Sequence, residues 1–138
     1  MSTKLEPYLN FNDGQCEMAL NFYKQAFGNA TLEIMRFSDA PMPYEEKDKN
    51  LVMHAMFQSG DVIFLASDCM GEQPAQIGNN ISMTLNFTDQ AEQTRLFNAL
   101  AEGGKITMPL DDAFWGARFG MVMDQFGIQW LFNLPKTA

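Results

Sequence analysis

The tripeptide LNF stands at residues 9–11 and again at residues 85–87, each copy just ahead of an Asp and a helix-like run. At the ungapped offset of 76 that aligns them, Asp13 falls on Asp89, Leu20 on Leu96, Gly28 on Gly104 and Thr31 on Thr107. With LNF itself that makes seven identities between positions 8 and 31, where average residue usage gives roughly one or two by chance. A repeat of this kind predicts one supersecondary unit built twice.

The order of signals is the same in both copies. An alternating strand comes first, EPYLNF at 6–11 or NISMTLNF at 80–87. An Asp able to cap a helix follows, then the helix, then a Gly able to close it. The first helix puts Cys16, Ala19, Leu20, Tyr23, Ala26 and Phe27 on one face, and the second uses Leu96, Phe97 and Leu100. Asp89 and Glu92 form a candidate capping box. A short strand comes next, ATLEIMRF at 30–37 or KITMPL at 105–110.

Each half then closes with a hairpin. LVMHAMFQSGDVIFLAS at 51–67 is set against RFGMVMDQFGIQWLFNL at 118–134, with Gly60 on Gly127 at an offset of 67. Each Gly marks a tight turn. The offset falls because the first half carries SDAPMPYEEKDKN at 38–50, which reads as a polar surface loop, and DCMGEQPAQIGNN at 68–80 reads as the linker between halves. The fold class expected is α+β: two βαβββ modules, about 5–70 and 79–135, within a single domain spanning 1–138.

Bulk properties narrow the function classes. The chain has 138 residues, 46% hydrophobic and 19% charged, with 12 Phe and 11 Met for a substantial core. A net charge of −8 with no Lys/Arg cluster argues against nucleic acid or an acidic membrane as partner. No apolar run is long enough to span a bilayer. The start, MSTKLEP, lacks the apolar core of a signal peptide, and two cysteines without a CxxC pair fit a reduced, cytoplasmic protein.

Strand alternation separates two surfaces. Pro7, Leu9 and Phe11, Ile81, Met83, Leu85 and Phe87, and Ile128, Trp130 and Phe132 form apolar faces that must cover the helices. Glu6, Tyr8, Asn10, Ser82, Thr84, Asn86, Gln129 and Asn133 fall on the opposite faces, which either line a ligand surface or are simply solvated.

PYLNFNDGQCEMALNFYKQAFG, HAMFQSGDVIFLASD and FWGARFGMVMDQFGIQWLFN closely resemble the PhnB-like branch of the glyoxalase/bleomycin resistance proteins, within the vicinal oxygen chelate superfamily. The resemblance covers nearly the whole chain. It implies a cupped mixed sheet with helices on its outer face, and a homodimer whose second copy completes the cavity. In metal-dependent members of that superfamily the ligand positions correspond to Glu6, Phe64, Ser82 and Leu131 here. A catalytic divalent site wants about three His or carboxylate ligands, and only Glu6 qualifies, so no metal or other cofactor is expected.

His54, the sole histidine, lies in a strand of the first hairpin, opposite Met121 at the offset of 67, and reads as a structural residue. Asp68 and Asp124 read as holders of loops or turns. DDAFWGAR at 111–118 is the most unusual stretch: Arg118 could pair with a ligand carboxylate or phosphate and Trp115 could stack on a planar ligand, or the two could form a surface pair and a packed edge. Cys16 falls on the buried helix face and Cys69 nearer the surface.

The leading expectation is a metal-independent binding module that takes a small, partly apolar molecule on Tyr8, Asn10, Phe64, Ser82, Thr84, Asn86, Trp115, Arg118, Gln129 and Leu131. The alternative is a lyase, isomerase or dioxygenase-type enzyme using Glu6 as base or metal ligand. An interaction protein without a small ligand would instead have Tyr8 and Trp115 fully packed.

Overall fold

The computed structural model describes residues 2–70 and 73–136, so Gly71 and Glu72 of the expected linker lie outside the described residues. The chain divides into two units, Met1–Gln76 and Ile77–Ala138. Each is a βαβββ module whose four strands form one mixed sheet.

The first unit runs β1 (Tyr8–Phe11), α1 (Cys16–Phe27), β2 (Thr31–Arg36), β3 (Val52–Ser59) and β4 (Val62–Asp68), with two short 3₁₀ turns between β2 and β3. Its strand order is β1-β4-β3-β2. The second runs β5 (Met83–Asn86), α2 (Gln90–Ala101), β6 (Lys105–Ala113), β7 (Ala117–Met123) and β8 (Gln129–Pro135), in the order β5-β8-β7-β6. The two orders are one topology written twice. In each, the outer strand before the helix pairs in parallel with the last strand, and the remaining pairs are antiparallel.

Each sheet covers its own helix with the apolar residues of alternate positions. In the first unit Leu20 and Tyr23 of α1 meet Leu9, Phe11, Phe57 and Phe64, all buried. Phe57 and Phe64 stack at 4.5 Å, and Tyr23 stands edge-on to Phe64 at 5.6 Å. Burying each such side chain stabilises by roughly 1.5–3 kcal/mol. In the second unit Phe97 of α2 packs edge-on against Phe132 at 5.0 Å, with Leu96, Leu100, Val122 and Trp130 buried around them. Gly120 is there because α2 comes close: a Cβ would lie 2.9 Å from Phe97 and from Leu110.

One helix start has its expected cap and the other does not. Asp89 caps α2 as foreseen, accepting from Glu92 N at 2.9 Å, but Glu92 gives its own carboxylate to Arg95 instead of closing a reciprocal box. Asp13 does not cap α1; it sits in the turn with φ 57°. The first helical N–H, Cys16 N, donates instead to Asp68 Oδ1 at 2.9 Å, and Asp68 Oδ2 accepts from Val52 N at 2.8 Å. One carboxylate at the end of β4 thus holds the start of the helix and the start of β3.

The hairpin offset of 67 does not survive. Ser59 pairs with Val62 across a two-residue turn, Gly60 and Asp61. In the second unit Asp124 N donates to Ile128 O at 2.9 Å, leaving Gln125, Phe126 and Gly127 in the turn. That turn is one residue longer, so β3 maps onto β7 at an offset of 65 and β4 onto β8 at 66. Gly60 and Gly127 both have positive φ, 59° and 90°, but they are not register partners. Because strand side chains alternate with a period of two, a one-residue error exchanges the faces.

Candidate functional site

With the offset corrected, the helix-free face of the first sheet can be read directly. Parallel pairing sets Tyr8 beside Leu65 and Asn10 beside Ser67, and β4 pairs Leu65 with Met56 of β3. Across to β2, Met56 faces Glu33 and His54 faces Met35. An apolar row, Tyr8–Leu65–Met56, therefore lies next to a polar one containing Asn10, Ser67 and His54. Tyr8 is 42% exposed, and His54 and Asn10 are exposed on the same side.

The corresponding face of the second sheet carries Thr84 and Asn86 from β5 beside Leu131 and Asn133 of β8. Asn133 Nδ2 donates to Asn86 Oδ1 at 3.0 Å. Leu131 pairs with Met121 of β7, Gln129 with Met123, and Phe119 with Asn133. Trp115, at the β6–β7 tip, meets Phe119 edge-on at 5.4 Å and Phe114 at 5.1 Å. Trp115 is 54% exposed, so neither it nor Tyr8 is packed as an interaction protein without a ligand would require.

Several expected site residues fall elsewhere. Phe64 is 1% exposed and lies under α1; Leu65 takes the helix-free position assigned to it. Arg118 is in phase with Gly120 and Val122, on the α2 side of β7. Its Nη1 donates to Gln93 Oε1 at 2.9 Å and to Thr94 Oγ1 at 3.0 Å, while Gln93 Nε2 donates to Arg118 O at 2.9 Å. The guanidinium is thus committed to the helix, across the sheet from Trp115. Asp112, its strand partner, is ion-paired with Lys136. Glu6 precedes β1 and pairs weakly with Lys4 at 3.8 Å, and Ser82 lies exposed just before β5.

The buried acids hold structure. Asp68 binds two backbone N–H groups, as described. Asp124 Oδ1 accepts from Phe126 N at 2.8 Å and Ile128 N at 3.1 Å, and Oδ2 from Trp130 Nε1 at 2.8 Å. Burial first, then the nearby Asp68 and Glu17 carboxylates, pushes the Cys16 thiol up to about 12, which removes it from thiolate chemistry at neutral pH. Among the described residues no three His, Cys, Asp or Glu side chains cluster as a metal-ligand set, and no helix is long and apolar enough to cross a membrane.

Sequence reasoning missed Leu65, Ser67, Met56 and Met35, and it gave His54 no part in the surface. The signal was there in the turn lengths. Counting Gln125-Phe126-Gly127 against Gly60-Asp61 replaces Phe64 by Leu65 as the counterpart of Leu131, and that shift of one residue moves the position to the helix-free face.

The architecture is that of a glyoxalase/bleomycin resistance protein from Albidiferax ferrireducens, with a TM-score of 0.60 at 14% identity over 95% of this chain and 98% of that one. Protein PA1353 from Pseudomonas aeruginosa is far more similar: 42% identity, 99% and 100% coverage, and a TM-score of 0.86. A putative 3-demethylubiquinone-9 3-methyltransferase, PhnB protein, from Bacillus cereus matches at 27% identity over 96% and 99% of the chains, with a TM-score of 0.79. The family profile described as 3-demethylubiquinone-9 3-methyltransferase matches residues 3–132. Through that match over almost its full length, and the duplicated βαβββ topology behind it, the chain belongs to this PhnB-like family with the glyoxalase/bleomycin resistance fold.

Proposed function

We propose that the protein binds a small, partly apolar molecule on the helix-free face of its sheets, without a resident metal. The observation that carries this is the first sheet's exposed face, where Tyr8, Leu65 and Met56 form an apolar row beside Asn10 and Ser67. Ligand sites combine apolar area with a few polar groups in this way. A second copy of the chain that completes the surface, and a cytoplasmic setting, belong to the same proposal.

The family description favours catalysis as the second reading. A methyl donor does not fit the turn at which open α/β folds commonly hold a nucleotide. Between β1 and α1, Asn12 is clamped onto Ala75 by bonds of 3.0 and 2.8 Å, and Leu51 lies 3.2 Å from the Cβ position of Gly14. Glu6, the acid expected for a lyase or isomerase, stands before β1 at 3.8 Å from Lys4, while Glu33 adjoins Met56 on the helix-free face.

The test is made on protein purified without chelator or affinity tag. Metal content is measured for the parent and for Glu6→Ala after exposure to Zn²⁺, Ni²⁺, Mn²⁺ and Fe²⁺. Binding of the uncharged dye N-phenyl-1-naphthylamine is followed in the parent and in Tyr8→Ala. No stoichiometric metal, with dye binding that drops in Tyr8→Ala, is the expected result. Near-stoichiometric metal lost in Glu6→Ala overturns the metal-free reading, and dye binding indifferent to Tyr8→Ala overturns the site.

A further inference from the structure

His54 reads as a structural residue in the sequence, yet its surroundings are those of a recognition residue. β3 turns Val52, Ala55 and Phe57 inward and leaves His54 on the exposed side. Between β3 and β1 lies β4. Neighbouring strands are about 4.8 Å apart, so the two backbones are separated by roughly 9.6 Å. The Tyr8 and His54 ring centroids are nevertheless only 5.9 Å apart, with planes inclined at 43°. Both rings lean inward over β4, a tilt that is neither a stack nor an edge contact.

Continuing the Ala55–Ala66 pairing by one residue brings Ser67 opposite His54. Among the described residues the side chains of Tyr8, Asn10, His54 and Ser67 make no hydrogen bond to protein, so four neighbouring groups keep their capacity for a ligand. A neutral imidazole offers one donor and one acceptor, while a hydroxyl and an amide offer both. That is an edge able to pair with hydroxyl and carbonyl groups in either direction. On either side of it lie Leu65, Met56 and Met35, and thioethers make favourable contacts with aromatic rings. No Lys or Arg side chain is found among these positions, Glu33 adjoins Met56, and the chain carries a net charge of −8. Together these favour a neutral ligand over an anionic one.

We propose that Tyr8 and His54 form a selecting pair for neutral, planar aromatic molecules bearing hydroxyl or carbonyl groups along one edge, with His54 making the orienting hydrogen bond. This rests on the small-molecule reading above and adds to it the ligand class and a specificity-determining residue.

A single histidine makes the test direct, because every imidazole NMR signal of the tag-free protein belongs to His54. 1-Naphthol and naphthalene serve as probes, alike in shape and differing in the polar edge, and affinities are measured by calorimetry. 1-Naphthol shifts the imidazole signals and binds about five- to tenfold tighter than naphthalene, the worth of roughly one net hydrogen bond. In His54→Leu that preference vanishes while naphthalene affinity is kept; His54→Gln, which retains a donor and an acceptor, recovers part of it. Equal binding of both probes to the parent and His54→Leu, with unmoved imidazole signals, overturns the role of His54 and leaves the small-molecule reading standing. If neither probe binds while Tyr8-dependent dye binding persists, the ligand class falls alone. If the dye also fails to depend on Tyr8, both fall.

Discussion

Replacing Asp124 by Asn tests whether one carboxylate organises the β7–β8 turn. The side chain is 1% exposed, and its two oxygens serve three donors. An amide can keep its oxygen toward the N–H groups of Phe126 and Ile128, but its NH₂ then faces the Trp130 indole N–H. Two donors are left opposed in a buried site. A hydrogen bond to a charged group contributes about 1.5–3 kcal/mol, and orphaned buried donors add to the loss. Asp124→Asn should therefore cost about 2–3 kcal/mol, and Asp124→Ala, which also strips the two backbone donors, about 4–5 kcal/mol. Trp130→Phe removes the opposing indole donor, so the double variant Asp124→Asn/Trp130→Phe should be more stable than the sum of the single losses by about 1–2 kcal/mol. Urea unfolding followed by far-ultraviolet circular dichroism measures the parent and the four variants without relying on the deleted indole. A cost below about 0.5 kcal/mol for Asp124→Asn, or strict additivity of the cycle, would refute the reasoning.

Two further predictions concern titratable groups. Cys16 is buried, with its thiol pushed up to about 12, whereas Cys69 is partly exposed. A thiol reagent at pH 8 should label one cysteine in the native protein and two after unfolding, with native labelling abolished in Cys69→Ser; two equivalents without denaturant contradict this. The Arg36 guanidinium, bonded to Glu17 at 2.8 Å, holds the Glu17 carboxyl below the usual range, against the opposing effect of burial. A depressed folded-state pKa stabilises above the unfolded-state value of about 4.3, and that gain is lost as pH falls through the folded-state pKa. Both side chains are partly exposed, so Glu17→Gln should cost less than about 1 kcal/mol near pH 6. The difference should shrink as pH falls below about 4, and urea midpoints that differ equally at pH 6 and in acid would count against the pair.

The duplication was legible because it rests on local signals. Asp89 does cap α2, Gly28 does end α1 with φ 72°, and the expected apolar helix faces are the buried ones, save Phe27, which is half-buried. The helix-free face was half legible. Tyr8, Asn10, Thr84 and Asn86 could be placed because the repeat is ungapped through the first strand of each module. Phe64 could not, because an additional turn residue separates the hairpins and register carries no sequence mark of its own. The cap of α1 was hidden for a different reason. Asp68 lies 52 residues from the N–H it accepts, and only tertiary structure brings the two together. Arg118 looked free in sequence because Gln93 and Thr94, its partners on α2, stand more than twenty residues away.

The position of Asp68 also bears on how this lineage can change. By fixing Val52 at the entry to β3, it isolates the preceding excursion, residues 37–51, from the strands it joins. Between its anchored ends, the buried Phe37 and the half-buried Leu51, that stretch is mostly exposed. Doubling the length of a flexible loop costs only about 0.6 kcal/mol in closure entropy. Insertions and deletions there can accumulate while the pairing of β2 with β3 stays as it is. Homologues should therefore differ most in length between these two strands, and an Asp at the end of β4 should accompany the longer excursions.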